Sequence, residues 1–437
     1  MKKSLTSSEI GGSIRAPASK SSMQRAVACA ALAEGESLIT NPSFSADCLA
    51  ALSVAGALGA RVERRPESVL LRGGLSLSAP MKAAEPRRLS CGESGLCIRM
   101  FTPIAALLPG ETLLEAEGTL RKRPLAMVDG ALEGFGASAV TAGGLPPVRV
   151  RGPLRGGRAR VDGRESSQLI TGLLIALAAA AESSVLEVEG LVSGGYVDLS
   201  IDTMRRFGVT ATRAADGRFE IPGGQRYRPT GFEVEGDWSG AAFLVVAGAI
   251  AAGRGALSIE GLNLDSSQPD RAVLRAVEAA GAKVSMLPSG LSVARGRLEA
   301  FEFDATDCPD LFPPLVALAA ACKGESLLHG ATRLHGKESD RAAALSQEFG
   351  GLGVSVIVDG DEMRVAGRGR IGGCIVDSHG DHRIAMAAAV ASLVAEDEVS
   401  IEGAECVAKS WPSFFEDLDG IRSRPSGRAP GRAETPG

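Results

Sequence analysis

Residues 21–33 read SSMQRAVACAALA, 94–107 read SGLCIRMFTPIAAL and 167–180 read SQLITGLLIALAAA. Further along, 239–250 read SGAAFLVVAGAI, 310–321 read DLFPPLVALAAA and 381–395 read DHRIAMAAAVASLVA. Each stretch opens on Ser or Asp, residues that cap helix N-termini, and continues as an Ala/Leu-rich helical run. The starts lie 73, 73, 72, 71 and 71 residues apart. A fixed period of this kind is the signature of a repeated structural unit.

Two further markers keep the same phase. After each run a Gly or Glu leads into a strand-like segment, at Gly35, Gly110, Glu182, Gly255, Gly324 and Glu398. Gly followed by Ala or Val then recurs at Gly59, Gly136, Gly208, Gly281 and Gly353, where a glycine would close a second helix. Each unit is expected to run strand, helix, strand, helix, strand, strand. Solenoid repeats are usually shorter, roughly 20 to 50 residues. Grouping three units per domain divides the chain near 230–235, after the Gly/Pro-rich segment 222–229, and leaves a cleft between two lobes where ligands collect.

A chain of 437 residues exceeds one ordinary core, and its 45% apolar content is spread along the whole length. Net charge is -5 with both signs mixed, so no global basic field recruits nucleic acid. The eight cysteines show no CxxC or zinc spacing and read as reduced, mostly buried thiols. No Walker or strand-linked GxGxxG motif is present, and His379 and His382 lack a metal-binding context, so neither cofactor nor metal is expected. The N-terminus has no signal-like apolar core and no long apolar run occurs, so a cytoplasmic protein without membrane contact is expected. Residues 422–437, rich in Arg, Pro, Gly and Ser, read as a disordered tail.

Equivalent units would aim their helix N-termini at a common region, which favours anions. Lys20, Arg99, Gln168 and Arg383 cluster at those starts, while Arg121-Lys122-Arg123-Pro124, Lys337-Glu338-Ser339-Asp340-Arg341 and Lys409 sit at the junctions. Cations flanking a helix start oppose its dipole by about 0.3 to 1 kcal/mol, and a bound anion would account for them. Ser239, Lys122 and Asp340 need no more than capping or solvation. A convergent basic pocket with a few carboxylates suits phosphate-bearing substrates and proton transfer.

Taken in order, Ser19-Lys20-Ser21 with Arg25, Glu93-Ser94-Gly95 with Arg99, Arg121-Lys122-Arg123-Pro124, Ser166-Ser167-Gln168, Tyr196-Val197-Asp198, Lys337-Glu338-Ser339-Asp340-Arg341, Asp381-His382-Arg383 and Lys409 resemble the 5-enolpyruvylshikimate-3-phosphate synthase family over roughly residues 11–418. The resemblance implies an inside-out α/β barrel in two lobes, with six βαβαββ repeats, three per lobe. It further implies one lobe at 17–231 and a discontinuous one at 1–16 plus 232–421. Shikimate 3-phosphate is then expected against Lys20, Ser21, Arg25, Ser166, Ser167, Gln168, Ser193, Tyr196, Asp310 and Lys337. Phosphoenolpyruvate is expected against Lys20, Gly95, Arg121, Gln168, Arg341, Arg383 and Lys409. The same resemblance makes Asp310 the base at the 5-hydroxyl, Glu338 the acid at C3, and Lys20 the group that neutralises developing charge. Small-molecule substrates and a monomer are expected.

The chain departs from the family pattern at Glu93 and Leu96, where many members have Asn and Thr, at Arg333, where Asn is frequent, and at 193–196, which lack a common Lys-Pro. Gly95 is kept, so sensitivity to glyphosate is expected. Two rivals remain: the related transferase acting on UDP-N-acetylglucosamine, whose loop carries a reactive cysteine absent from 118–124, and a non-catalytic repeat protein that binds phosphorylated ligands.

Overall fold

The computed structural model describes residues 1–75 and 85–423, so the tail expected at 422–437 lies outside the described residues beyond Ser423. The six apolar runs form the helices Lys20–Leu32, Gly95–Ala105, Ser167–Ala179, Trp238–Ala251, Phe312–Ala321 and His382–Ser392. Most of their residues are buried on every side, as befits helices apolar all round. Ser19, Ser94, Ser166, Asp237 and Asp381 cap five of them by accepting a backbone N–H. The Phe312 helix is entered through the 3-10 turn Pro309–Leu311, because Pro313 and Pro314 carry no N–H to donate.

The Lys20, Gly95 and Ser167 helices pack on one another, and so do the Trp238, Phe312 and His382 helices. Each bundle is the interior of one lobe, and three sheets lie against it, the inside-out arrangement with helices within and sheets without. The sheets repeat one topology. Arg87–Ser90 runs parallel to Gly110–Glu115 with Leu89 opposite Leu114, and the hairpin Ser138–Ala142 with Leu145–Gly152 adds antiparallel to it. Where the last strand of a unit meets the inner helix there is no room for a side chain: an added Cβ would sit 2.1 Å from Ala30 O at Gly73, 2.2 Å from Ala106 O at Gly152 and 2.1 Å from Ala319 O at Gly367. The glycines expected to close the second helices all have positive φ, from 79° at Gly136 to 113° at Gly59.

Two units depart from the common plan. In the second, three 3-10 turns, Gly118–Lys122, Ala126–Val128 and Glu133–Phe135, replace the second helix. Pro124 and the glycines at 118, 130, 134 and 136 break continuous helical hydrogen bonding there. In the sixth, no closing hairpin follows among the described residues, and the N-terminal strand Lys2–Leu5 pairs antiparallel with Val399–Glu402. The residues that follow have helical spacing, with Phe414, Leu418 and Ile421 buried on one face of the helix Phe414–Ile421.

The chain crosses between the lobes twice. Ile10–Arg15 pairs parallel with Ala252–Glu260 in the second lobe, whereas Gly231–Glu233 pairs parallel with Gly35–Thr40 in the first. The sequence boundary at 231 therefore falls within a strand whose Phe232 is buried in the first core. The two crossing segments bond to each other: Ser19 N donates to Glu235 O at 2.8 Å, and Asp237 N donates to Pro17 O at 2.7 Å. Gln268 ties them further, accepting from Ser19 Oγ and Trp238 N and donating to Gly236 O.

Candidate active site

A pocket opens between the lobes at the inner-helix starts. Repeat geometry explains why Lys20, Ser21, Gly95, Ser166, Ser167, Gln168, Asp310 and Arg383 line it together, since each stands at or near the entrance to an inner helix. Ser193, Tyr196, Lys337, Glu338 and Arg341 reach it from the second-helix starts.

In the first lobe, Arg25 is 1% exposed and is held by neutral acceptors: Ser200 Oγ at 2.8 Å, Ser21 O at 2.7 Å, Tyr196 O at 3.1 Å and Thr171 Oγ1 at 3.3 Å. Arg99 likewise donates to Gly95 O, Gln168 Oε1 and Pro124 O. Burial lowers Arg25 to about 10, and burial with the nearby Arg123 lowers Arg99 to about 9. Lys20 differs, because its ammonium meets Asp47 at 2.9 Å. Burial works against its charge, but Asp47 outweighs that and raises it above the usual value.

In the second lobe the charges are paired. Arg341 donates to Asp381 at 2.7 Å, Asp310 at 2.7 Å and Glu338 at 2.8 Å, and Arg383 donates to Asp310 at 2.9 Å. Burial disfavours ionised Asp310, yet Arg383, Arg341 and Lys337 together hold its carboxyl below the ordinary range. Glu338 is held well below its usual value against burial by Arg123, Arg341 and Lys409. Lys337 is lowered to about 8 by burial, with Asp310 opposing. His382 is 1% exposed with both ring nitrogens unpartnered, and burial, Lys20 and Arg383 keep it neutral.

The lobes meet through charged contacts. Arg123, from the first, donates to Gly336 O and to Glu338 Oε1, both at 3.1 Å. Lys409 is 7% exposed, with its ammonium 3.8 Å from Glu93 and 3.9 Å from Glu338. Arg333 donates across to Arg164 O at 2.6 Å.

Arg121 does not join this site. It is exposed and donates to Ala116 O, while Arg123 turns inward in its place. The 3-10 turn Gly118–Lys122 ends at Arg123, whose backbone is extended, and that change of direction sends the two side chains to different sides. Ser239 does more than the capping expected of it, since Asp237 caps that helix and Ser239 Oγ accepts from Arg383 at 2.8 Å. Lys122 and Asp340 are exposed, and Asp340 caps the helix Arg341–Gly351. Sequence reading counted Arg123 among the junction cations but gave the phosphoenolpyruvate contact to Arg121, and it passed over Asp47 in the site and the buried acids Asp237 and Asp270 beside it. An inward-facing Arg two residues after another, and acids in Ala-rich or Pro-flanked contexts, leave no periodic signal.

Gly95 admits the pair of guanidinium groups above it, because an added Cβ would lie 2.8 Å from both Arg99 Nη1 and Arg123 Nη1. Leu96 presents an apolar surface to the same cavity.

The family model described as EPSP synthase (3-phosphoshikimate 1-carboxyvinyltransferase) matches residues 5–418. The chain is 36% identical over 419 residues to the 3-phosphoshikimate 1-carboxyvinyltransferase of Methanocorpusculum labreanum, covering 96% of this chain and 98% of that protein. It is 38% identical over 432 residues to the enzyme of the same name from Halobacterium salinarum, covering 96% and 99%. Among solved structures, EPSP synthase from Acinetobacter baumannii superposes with a TM-score of 0.80 at 25% identity, covering 97% of this chain and 98% of that one.

Proposed function

Because the chain belongs to the EPSP synthase (3-phosphoshikimate 1-carboxyvinyltransferase) family, it transfers the enolpyruvyl group of phosphoenolpyruvate to shikimate 3-phosphate, and we propose the following division of work among its residues. Shikimate 3-phosphate lies against Lys20, Ser21, Arg25, Ser166, Ser167, Gln168, Ser193, Tyr196, Asp310 and Lys337, whose hydroxyls and cations suit a polyol bearing a phosphate. Phosphoenolpyruvate lies against Lys20, Gly95, Arg123, Gln168, Arg341, Arg383 and Lys409. The discontinuous lobes, 1–16 with the segment after 233, and 17–233, act as the two closing bodies.

The observation that carries this reading is Arg341, which bridges Asp310 and Glu338 within one cleft. Asp310, held ionised, takes the proton of the 5-hydroxyl as that oxygen attacks C2 of the enol. The anionic co-substrate draws Arg123, Arg341 and Lys409 to its own carboxylate and phosphate, so Glu338 loses the charges that hold it ionised, gains a proton and delivers it to C3. In the tetrahedral adduct Glu338 takes a proton back from the new methyl group, the C2–O bond to phosphate breaks, and Asp310 returns its proton to the departing phosphate. Lys20, kept charged by Asp47, stabilises the anion that develops.

No helix among the described residues is long and apolar enough to cross a membrane. A cytoplasmic monomer is part of this reading, and the lack of a side chain at Gly95, where the Arg99 and Arg123 guanidinium groups come close, supports inhibition by glyphosate. Phosphate release measured with phosphoenolpyruvate and either shikimate 3-phosphate or UDP-N-acetylglucosamine tests the reading. Turnover with the first acceptor alone is expected; turnover with the second, or with neither, contradicts it.

A further inference from the structure

The carboxylate of Asp270 is 0% exposed and lies outside the machinery described above. It stands on the 3-10 turn Pro269–Ala272 of the second lobe, where Oδ2 accepts the hydroxyl of Tyr196, from the first lobe, and Oδ1 has no partner. The surrounding contact is extensive. The helix Gly194–Arg206 meets the segment 266–270 so closely that a Cβ on Gly195 would lie 2.9 Å from Ser267 O and 3.2 Å from Pro269 Cβ. Ser267 Oγ also donates to Asp202, on the same helix. Two residues before Asp270, Gln268 is bonded to both crossing segments, at Ser19, Gly236 and Trp238. One short turn thus joins the hinge to the aromatic side chain at the proposed shikimate site, and the Arg25 guanidinium lies 5.8 Å from the centre of that ring.

We propose that Asp270 is a positioning residue for shikimate 3-phosphate: by receiving the Tyr196 hydroxyl from across the cleft, it seats the ring against the substrate only when the lobes are together, and so couples acceptor binding to closure. The inference rests on the assignment of Tyr196 to the shikimate site. Asp270 touches no reacting atom and acts through Tyr196 alone. The groups facing it are Tyr196 from the Gly194 helix, Asp237 at the start of the Trp238 helix, Asp310 from the turn before the Phe312 helix, and Arg383 from the His382 helix. Burial, reinforced by Asp310, lifts its carboxyl to about 7. Opening the lobes exposes it to water, where a carboxyl returns to about 4, so closure takes up a proton and is disfavoured as pH rises through 7.

The test is calorimetric titration of shikimate 3-phosphate into the intact protein, with steady-state kinetics, for wild type, Asp270→Asn, Tyr196→Phe and the double variant. Each single change is expected to weaken shikimate 3-phosphate binding about tenfold, the worth of one hydrogen bond to a carboxyl group. For Asp270→Asn at saturating acceptor, kcat and the KM for phosphoenolpyruvate should stay within about threefold, well below a tenfold step. The double variant should bind no more weakly than the worse single, and between pH 6 and 8 the affinity of wild type should fall with rising pH relative to Asp270→Asn. Additive single effects, a loss confined to kcat, or parallel pH profiles would overturn the proposal. If Asp270→Asn does not fold, Tyr196→Phe at the same pH values carries the test, since it keeps the ring and removes only the hydroxyl. Failure of the wild type itself to bind shikimate 3-phosphate would instead fault the assigned reaction.

Discussion

The two lobes treat positive charge in opposite ways. In the first, Arg25 and Arg99 are buried among hydroxyls, an amide and backbone carbonyls, with no carboxylate in contact, and both are shifted downwards. In the second, Arg341 touches three carboxylates and is raised, because their attraction exceeds the cost of its burial. Lys20 with Asp47, and Arg123 with Glu338 across the cleft, are exceptions within the first lobe. Cations without counter-charges attract anions, whereas interlocked charges hold carboxylates ionised and ready to exchange protons. On the proposed division of work, the first lobe supplies cations without counter-charges for binding, the second supplies the carboxylates that exchange protons along with further binding cations, and Arg123 with Lys409 joins them. Buried ion pairs add little net stability compared with apolar packing, so the density of charge in the second lobe fits chemistry better than folding.

The sharpest way to break this contrast is Asp310→Asn. Turnover is expected to fall by about 10² to 10⁴, the range for loss of a general base, while the protein stays folded with a lowered melting temperature, because the single amide oxygen can accept from only one of Arg341 and Arg383. Near-normal turnover would remove the base from the second lobe. Next in size is the surface that serves the co-substrate: Gly95→Ala displaces Arg99 and Arg123, and Arg123→Ala deletes the inward guanidinium. Both should raise the KM for phosphoenolpyruvate by about ten- to a hundredfold, as for one or two charged hydrogen bonds.

A smaller effect comes from pH. Lys337 titrates near 8, so its charge is present below that value and lost above it. The KM for shikimate 3-phosphate should therefore climb by about tenfold per unit in the alkaline range, and Lys337→Arg should shift that limb upward. Smallest of all is Arg121→Ala, expected to match wild type in both KM values because its side chain faces solvent.

The repeat was legible because a buried helix needs an unbroken apolar run, a cap and a glycine stop, and those requirements recur at fixed spacing. The same logic explains what was not. Pro124 and its neighbouring glycines turn the second unit's helix into 3-10 turns, and that local change decides that Arg123 rather than Arg121 faces the cleft. The strand Lys2–Leu5 completes a sheet whose other strands lie almost the whole chain away, a pairing that no local pattern encodes. Helix starts could be read as a convergent basic pocket, but Asp47 lines it, and Asp270 lies buried beside it, only through tertiary packing, so neither had a sequence signal.

Glu338 offers the most direct test, because it belongs to the second lobe and touches no group assigned to the acceptor except through Arg341. For Glu338→Gln, calorimetric binding of shikimate 3-phosphate should remain within about threefold of wild type while turnover drops by about 10² to 10⁴. Acceptor binding and turnover falling together would contradict the separation of binding from proton transfer between the lobes.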